Sequence, residues 1–288
     1  MPYAHPDSLV STEWLAAHLT DPAVRVVDGS FKLPGVTPTA REDYDKHHIP
    51  GAPFFDIDEI ADRKSSLPHM LPTPEEFAAH MSRLGVGDEH RVIAYDATGW
   101  SMAACRVWWM LRVFGHDNVG VLAGGLAKWI AEGRPVTVEV PRPAAARFTP
   151  RFRPELVRDK ATVRRTIGAH REQVVDARAQ GRFEGTEPEL RPGLRSGHIP
   201  GSRNLPYDQL VDLATKIPLP AHTLEERFRT SGLHPDRPII ASCGSGVSAC
   251  ALAFGLHLIG WPDAAVYDGS WVDWGAPGDT PVETGPAS

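Results

Sequence analysis

Residues 238–261, PIIASCGSGVSACALAFGLHLIGW, carry the sequence pattern that decides the fold. A short β-rich apolar run, PIIASC, is followed by a turn with two glycines and then by an apolar run of helical length. A strand that enters a helix through a glycine turn is typical of parallel α/β sheets. The stretch therefore predicts an α/β domain with Cys243 at the carboxyl end of a strand, where open sheets of this kind place their ligands.

The same pattern occurs twice along the chain. Four motifs recur in the same order, at offsets of 145 to 150 residues: VVDGS (26–30) with VVDAR (174–178), HHIPGAPFFDI (47–57) with GHIPGSRNLPY (197–207), VIAYDATG (92–99) with IIASCGSG (239–246), and GGLAKW (124–129) with GSWVDW (269–274). A repeat this long predicts two tandem globular domains. We place the first domain at residues 1–136, a linker rich in Pro, Ala and Arg at 137–155, and the second domain at 156–288.

Strands and helices alternate in the second half. The β-rich segments are QVVDAR (173–178), PIIASC (238–243) and AVYDGS (265–270), and the helical segments are TLEERFRTSG (223–232) and VSACALAFGLHLIGW (247–261). This alternation predicts that each domain has a mostly parallel sheet with helices on both faces.

The composition of the 288 residues is that of an ordinary soluble protein, with 42% hydrophobic residues and a net charge of −6. The sequence has no basic footprint for nucleic acid and no apolar stretch long enough to span a membrane, so neither nucleic acid nor a membrane is predicted as a partner. It also shows no N-terminal export signal. Only three cysteines occur, which favours a reducing compartment and a cytoplasmic location. The histidines and cysteines show no ligand spacing, so we expect no metal and no organic cofactor.

The loop after Cys243 is suited to holding an anionic sulfur. Backbone amides from Gly244 to Ala249 and the dipole of the following helix should converge on one point and favour a nucleophilic thiolate. A buried, inert thiol at the strand end is the alternative, and it is the role we expect for Cys105 and Cys250. Alignment of the two halves places Asp96 at the position of Cys243, so the first loop, DATGWS, has no nucleophile.

These motifs together resemble the two-domain rhodanese superfamily of sulfurtransferases over nearly the whole chain. The resemblance rests on CGSGVSAC, on HIPG in both halves, on DARAQGRFEGTEPELR and on YDGSWVDW. It implies that the second domain is catalytic, and that Cys243 accepts sulfur from a small donor as a persulfide. The persulfide then passes the sulfur to cyanide or to a thiol acceptor, for which thioredoxin is a candidate.

The loop resembles those of family members that use 3-mercaptopyruvate and release pyruvate. Members that use thiosulfate typically carry Arg and Lys after the cysteine, where this chain has Gly244 and Ser245. A neutral loop loses direct ion pairing with a dianion, and it suits a donor whose carboxylate is held by cations farther from the sulfur.

The resemblance also implies roles for individual residues. Ser245 is expected to relay a proton to the pyruvate enolate, supported by Asp58 and His69 of the first domain. The residues expected to bind the donor are Arg182, Arg191, Gly244, Gly246, Val247 and Ser248. We interpret Arg178 as structural and Asp268 as a residue that shapes the cleft wall; Trp271 either shapes that wall or belongs to the core.

Three other functions are compatible with a rhodanese-like sequence. A thiosulfate sulfurtransferase is disfavoured by the absence of loop cations. A cysteine phosphatase on the same fold would need an arginine six residues after Cys243, where this chain has Ala249. A non-catalytic binding or sulfur-sensing module is disfavoured by the intact cysteine loop.

Overall fold

Two separate parallel sheets form the framework of the computed structural model. The first sheet has the strand order β1-β4-β3-β2, with β1 Leu9–Val10, β2 Val24–Asp28, β3 Arg91–Tyr95 and β4 Val119–Leu122. The second has the order β5-β9-β8-β6-β7, with β5 Val157–Arg158, β6 Gln173–Asp176, β7 Arg203–Asn204, β8 Ile239–Ser242 and β9 Ala265–Tyr267. The structure describes residues 2–99, 102–169, 171–262 and 264–287, so Trp100 and Ser101 of the first loop lie outside it.

Helices flank both sheets. They are α1 Thr12–His18, α2 Ala40–Lys46, α3 Pro74–Arg83, α4 Met102–Val113, α5 Gly125–Ala131, α6 Lys160–Thr166, α7 Gln180–Glu184, α8 Ala221–Thr230, α9 Ala249–Leu258 and α10 Ser270–Trp274. Short 3₁₀ helices occupy Pro6–Ser8, Pro154–Leu156 and Tyr207–Leu210. The predicted α/β fold with two parallel sheets is confirmed. In the described part of the chain, every helix is too short or too polar for a bilayer crossing.

Strand β8 and helix α9 position the cysteine loop. All four residues of β8 are buried, because the strand lies between β9 and β6 and is covered on both faces. Nine of the ten residues of α9 are buried, since this helix packs on its own sheet and also on α4 of the first domain. The ring of Trp108 in α4 meets that of Phe254 in α9 edge-on, with centroids 5.0 Å apart. The two domains therefore share one continuous apolar core.

Segments outside the sheets add further contacts between and within the domains. Residues 138–153 run without a regular element along the first domain, where Phe148 packs edge-on against Phe77. The N-terminal residues cross to the second domain: the Tyr3 hydroxyl donates to the Leu219 carbonyl over 2.9 Å, and the Ala4 amide donates to the Leu258 carbonyl over 2.8 Å.

Candidate active site

Cys243 follows directly on β8, as the sequence predicts, and is almost fully buried. Its amide donates to the Ser270 Oγ atom over 3.1 Å, and that hydroxyl lies 3.9 Å from the Cys243 Sγ atom. Ser270 adopts a left-handed backbone with φ 48°, whereas its counterpart in the first domain is Gly125 with φ 55°. Sequence reasoning missed Ser270. The repeat contained the signal, because a serine that replaces a glycine at a strained position needs a compensating role for its hydroxyl.

The loop between Cys243 and α9 presents unpaired backbone donors. The amides of residues 244–248 have no acceptor among the residues that the structure describes. Gly246 has φ 77°, which only glycine adopts readily. Unpaired amides at the start of a helix are suited to stabilising an anion placed beside Cys243.

At the equivalent position of the first domain, the side chain of Asp96 accepts hydrogen bonds from neighbouring amides. Asp96 is buried, and its carboxylate accepts hydrogen bonds from the amides of Gly99, Ala103 and Ala104 at 2.9, 3.2 and 3.3 Å. Burial raises the pKa of Asp96, and these hydrogen bonds act in the opposite direction. The carboxylate thus provides an internal acceptor directly after β3, where the second domain has a cysteine directly after β8.

A chain of three polar side chains crosses the domain boundary at Ser245. The His69 Nδ1 atom lies 3.1 Å from the Ser245 Oγ atom, and the His69 Nε2 atom lies 3.0 Å from a carboxylate oxygen of Asp58. His69 is buried, whereas the Asp58 side chain is 59% exposed. The hydrogen bond with His69 lowers the pKa of Asp58. The structure therefore brings together three of the four side chains expected to act in catalysis, next to the fourth, Cys243.

The tautomer of His69 follows from these partners. A carboxylate can only accept a hydrogen bond, so the Nε2 atom must carry a proton when it faces Asp58. The Nδ1 atom faces two oxygens of Ser245, the hydroxyl at 3.1 Å and the backbone carbonyl at 3.2 Å. In the neutral ring it accepts the Ser245 hydroxyl proton, and in the doubly protonated ring it donates to these oxygens. The arrangement can thus transfer a proton between Ser245 and His69.

Arg182 lies beside the loop and is already paired. Its guanidinium donates to the Glu189 carboxylate at 2.6 and 3.2 Å, and a Cβ atom on Gly244 would lie 3.3 Å from its Nη2 atom. Glu189 is buried and also pairs with Arg178 at 2.5 Å. Arg178 is buried over the ring of Trp271, 4.2 Å from the ring centroid. Arg178 and Trp271 thus belong to the core behind the site.

The guanidinium of Arg191 differs from that of Arg182 in its hydrogen bonding. Its Nη2 atom is buried without a hydrogen-bond partner in the described part of the chain, and burial lowers the pKa of its guanidinium. The charge of Asp58 has the opposite effect on that pKa, which places Arg191 in the electrostatic environment of the Asp58–His69 pair. A buried guanidinium nitrogen without an acceptor is suited to receiving an anionic oxygen.

Residues of both domains line a cavity of about 190 Å³ at Cys243. The lining residues are Phe31, Leu33, Met102, Arg182, Leu190, Tyr207, Cys243, Gly244, Ser245, Val247 and Ser248. Two residues expected to bind the donor, Gly246 and Arg191, are not among them. A second cavity of about 250 Å³ shares Phe31 and Leu33 with the first and reaches Asp58.

The other two cysteines lie outside this cavity. Cys105 and Cys250 are fully buried, and burial raises the pKa of each thiol, so both remain protonated at neutral pH. Their environment is that of the apolar core, where the sequence analysis expected them.

Comparison with known proteins gives a consistent family. The model of the rhodanese-like domain matches residues 11–132 and again residues 159–277. The human 3-mercaptopyruvate sulfurtransferase is 41% identical over 93% of this chain and 91% of its own length. The thiosulfate sulfurtransferase of Cricetulus griseus is 43% identical, with 96% of both chains covered.

Comparison with solved structures supports the same family. The chain superposes on SseA of Escherichia coli, described as a 3-mercaptopyruvate sulfotransferase, with a TM-score of 0.83 and 37% identity over 92% of this chain and 98% of SseA. The Tum1 protein of Saccharomyces cerevisiae gives a TM-score of 0.84 at 33% identity over 93% and 94% of the two chains. With two family domains, relatives above 40% identity and a parallel sheet in each half, the chain belongs to the rhodanese-like domain family and carries two copies of its fold.

Proposed function

We propose that the chain is a sulfurtransferase that takes sulfur from 3-mercaptopyruvate and passes it to a thiol or to cyanide. One observation carries the proposal: Cys243, with its loop of unpaired amides, lies next to Ser245, which is contacted by His69 of the other domain, and His69 in turn pairs with Asp58. This arrangement supplies a nucleophile, a site for a sulfur anion and a route for a proton within one cleft.

The first step forms a persulfide. The Cys243 thiolate attacks the donor sulfur; a sulfur–sulfur bond forms, the carbon–sulfur bond breaks, and its electron pair leaves on carbon as the enolate of pyruvate. Ser245 donates a proton to that enolate and recovers one from the His69 Nδ1 atom, a step that requires the ring to be protonated on both nitrogens. The amides of residues 244–248 stabilise the sulfur anion before and after transfer.

The second step restores the cysteine. An acceptor thiolate or cyanide attacks the outer sulfur of the persulfide, and the Cys243 thiolate leaves. A thiol acceptor, with thioredoxin among the candidates, and a cytoplasmic location remain predictions from the sequence.

Charge supports 3-mercaptopyruvate as the donor. Relatives named for 3-mercaptopyruvate and for thiosulfate have nearly the same identity to this chain, so overall similarity does not separate the two donors. The residues that follow Cys243, Gly244 and Ser245, carry no charge. The unpaired nitrogen of Arg191 and the guanidinium of Arg182 are suited to the carboxylate and keto oxygen of mercaptopyruvate.

The test compares kcat/KM for 3-mercaptopyruvate with that for thiosulfate, with one acceptor and with Cys243→Ala as the control. We expect a ratio far above one for the parent protein and no transfer by the variant. A ratio below one would identify a thiosulfate enzyme. Absence of transfer and of a persulfide with either donor would contradict the enzymatic proposal and favour a binding module.

A further inference from the structure

Arg106 is a fully buried arginine of α4 that faces the other domain. Its Nη1 atom donates to the Asp268 carboxylate over 2.7 Å and to the Gly246 carbonyl over 3.2 Å. Its Nη2 atom donates to the His69 carbonyl. One guanidinium thus binds the cysteine loop, the residue after β9 and the backbone of His69.

Asp268 contacts the same segment of the first domain. One of its oxygens accepts from Arg106, and the other accepts from the Leu71 amide over 2.7 Å. The backbone on both sides of residue 70 is therefore held by a single ion pair. Each partner of that pair belongs to a different domain, and both side chains are at most 3% exposed.

The backbone of His69 needs such support. It has φ 62°, a left-handed conformation that is unfavourable for a residue with a Cβ atom. Only contacts from the surroundings hold a residue in this state, and here they are made to its carbonyl by Arg106 and to its ring by Ser245 and Asp58. A rotation of this backbone would move Nδ1 away from Ser245.

The cysteine loop is fitted to the same guanidinium. A Cβ atom on Gly246 would lie 2.6 Å from the Asp268 carbonyl oxygen and 3.2 Å from the Arg106 Nη1 atom. The absence of a side chain at Gly246 therefore lets the loop approach the ion pair closely. Ser245 precedes this glycine, so Arg106 sets the positions of both His69 and Ser245.

We propose that Arg106, paired with Asp268, is a positioning residue for sulfur transfer. It holds the His69 backbone in its left-handed conformation, so that the imidazole ring stays within hydrogen-bond distance of the Ser245 hydroxyl. This inference rests on the proposed function. It goes further, because Arg106 touches neither the donor cavity nor Cys243 and acts on the proton route through His69. The donor itself is held by other residues.

The experiment is a double-mutant cycle with His69. Arg106→Lys keeps the charge but removes the second Nη donor, and Asp268→Asn keeps an acceptor for Leu71 but removes the ion pair. We expect each to lower kcat for mercaptopyruvate about tenfold to a hundredfold, with KM changed less than about twofold. In a His69→Ala background, the same substitutions should cause a smaller fold-loss than in the parent, because only the part that passes through the cysteine loop remains.

Trp108→Leu is the matched control. It removes a contact of α4 with the second domain, the edge-on packing on Phe254, and leaves the ion pair intact. We expect it to lower the melting temperature at least as much as Arg106→Lys does, with kcat unchanged. A general loss of domain packing would lower kcat in all these variants alike.

Several outcomes would overturn the proposal. They are an unchanged kcat in folded Arg106→Lys or Asp268→Asn, an equal loss in the His69→Ala background, and a loss confined to KM. If Arg106→Lys and Asp268→Asn both unfold while Trp108→Leu does not, the Arg106–Asp268 ion pair is a structural support and the positioning role is rejected. Failure of the proposed function is distinguishable, because the parent protein would then form no persulfide with either donor.

Discussion

At the scale of single residues, the two arginines expected to bind the donor differ in what they can offer it. Arg182 is paired with Glu189, which also pairs with Arg178, whereas the Nη2 atom of Arg191 is buried without an acceptor among the described residues. A donor carboxylate at Arg191 would satisfy a nitrogen that is otherwise unpaired. A donor oxygen at Arg182 would instead share the guanidinium with Glu189.

Substitution of these arginines tests their roles. We expect Arg191→Ala to lower kcat/KM for 3-mercaptopyruvate about tenfold or more, mainly through KM, because a charge-assisted hydrogen bond is lost. Arg182→Ala should have the same direction and a smaller effect. Steady-state kinetics with a fixed acceptor measures both, with Arg164→Ala, an exposed arginine paired with Asp279, as the control. Unchanged KM values in both variants would remove these arginines from the donor site.

At the scale of elements, the two strand–loop–helix units show how one framework serves two purposes. Among the described residues, the loop after β8 leaves the amides that follow the cysteine unpaired, whereas after β3 the Asp96 carboxylate accepts from Gly99 in the loop and from Ala103 and Ala104 in the first turn of α4. These three amides therefore have an acceptor within the chain, and the amides after Cys243 do not.

Removal of the Asp96 carboxylate tests this contrast. In Asp96→Ala, buried amides lose their acceptor, and we expect the free energy of unfolding to fall by about 2 kcal/mol or more. Denaturant titration monitored by circular dichroism measures the change, and Asp45→Ala, an exposed residue of α2, should change it little. Equal stability of the two variants would mean that Asp96 does not support its loop.

Most of the element-scale description could be predicted from the sequence. The strand that ends at Ser242, the helix after it and the position of Cys243 between them all follow from local patterns within 238–261. Asp96 followed from the repeat. These features are local or periodic, so one segment of chain contains the information that specifies them.

The residues that complete the site could not be found in this way. Arg106 lies in an apolar helix and acts on residues 37, 140 and 162 positions away, and no local pattern encodes such contacts. In the sequence, nothing distinguishes Glu189 from the other acidic residues. Only the structure shows that it pairs with two arginines, Arg178 and Arg182. The contact between His69 and Ser245 was predicted only through the family resemblance. No local pattern could indicate it, because the two residues are 176 positions apart.

At the scale of the whole molecule, the site belongs to neither domain alone. Cys243 and Ser245 lie in the second domain, and His69 and Asp58 reach them from the first. The apolar contact between α4 and α9 holds the halves together, and the N-terminal segment adds hydrogen bonds from Tyr3 and Ala4 to the second domain.

A fragment of residues 156–288 should therefore be inactive, although it contains Cys243. It lacks His69, and it exposes the apolar face of α9, so we also expect it to aggregate. Sulfur transfer and sedimentation of the fragment check both expectations, with full-length Cys243→Ala as a folded, inactive control. Transfer by a soluble fragment at the rate of the whole chain would show that the first domain is dispensable.

The internal acceptor at Asp96 has a consequence for how a duplicated gene diverges. In the first half, Asp96 supplies a carboxylate to its neighbouring amides from within the chain, so these amides need no bound anion. Sequence change in that half can then act on His69 and Asp58, which reach the second half, and we expect deletion of either half to remove sulfur transfer.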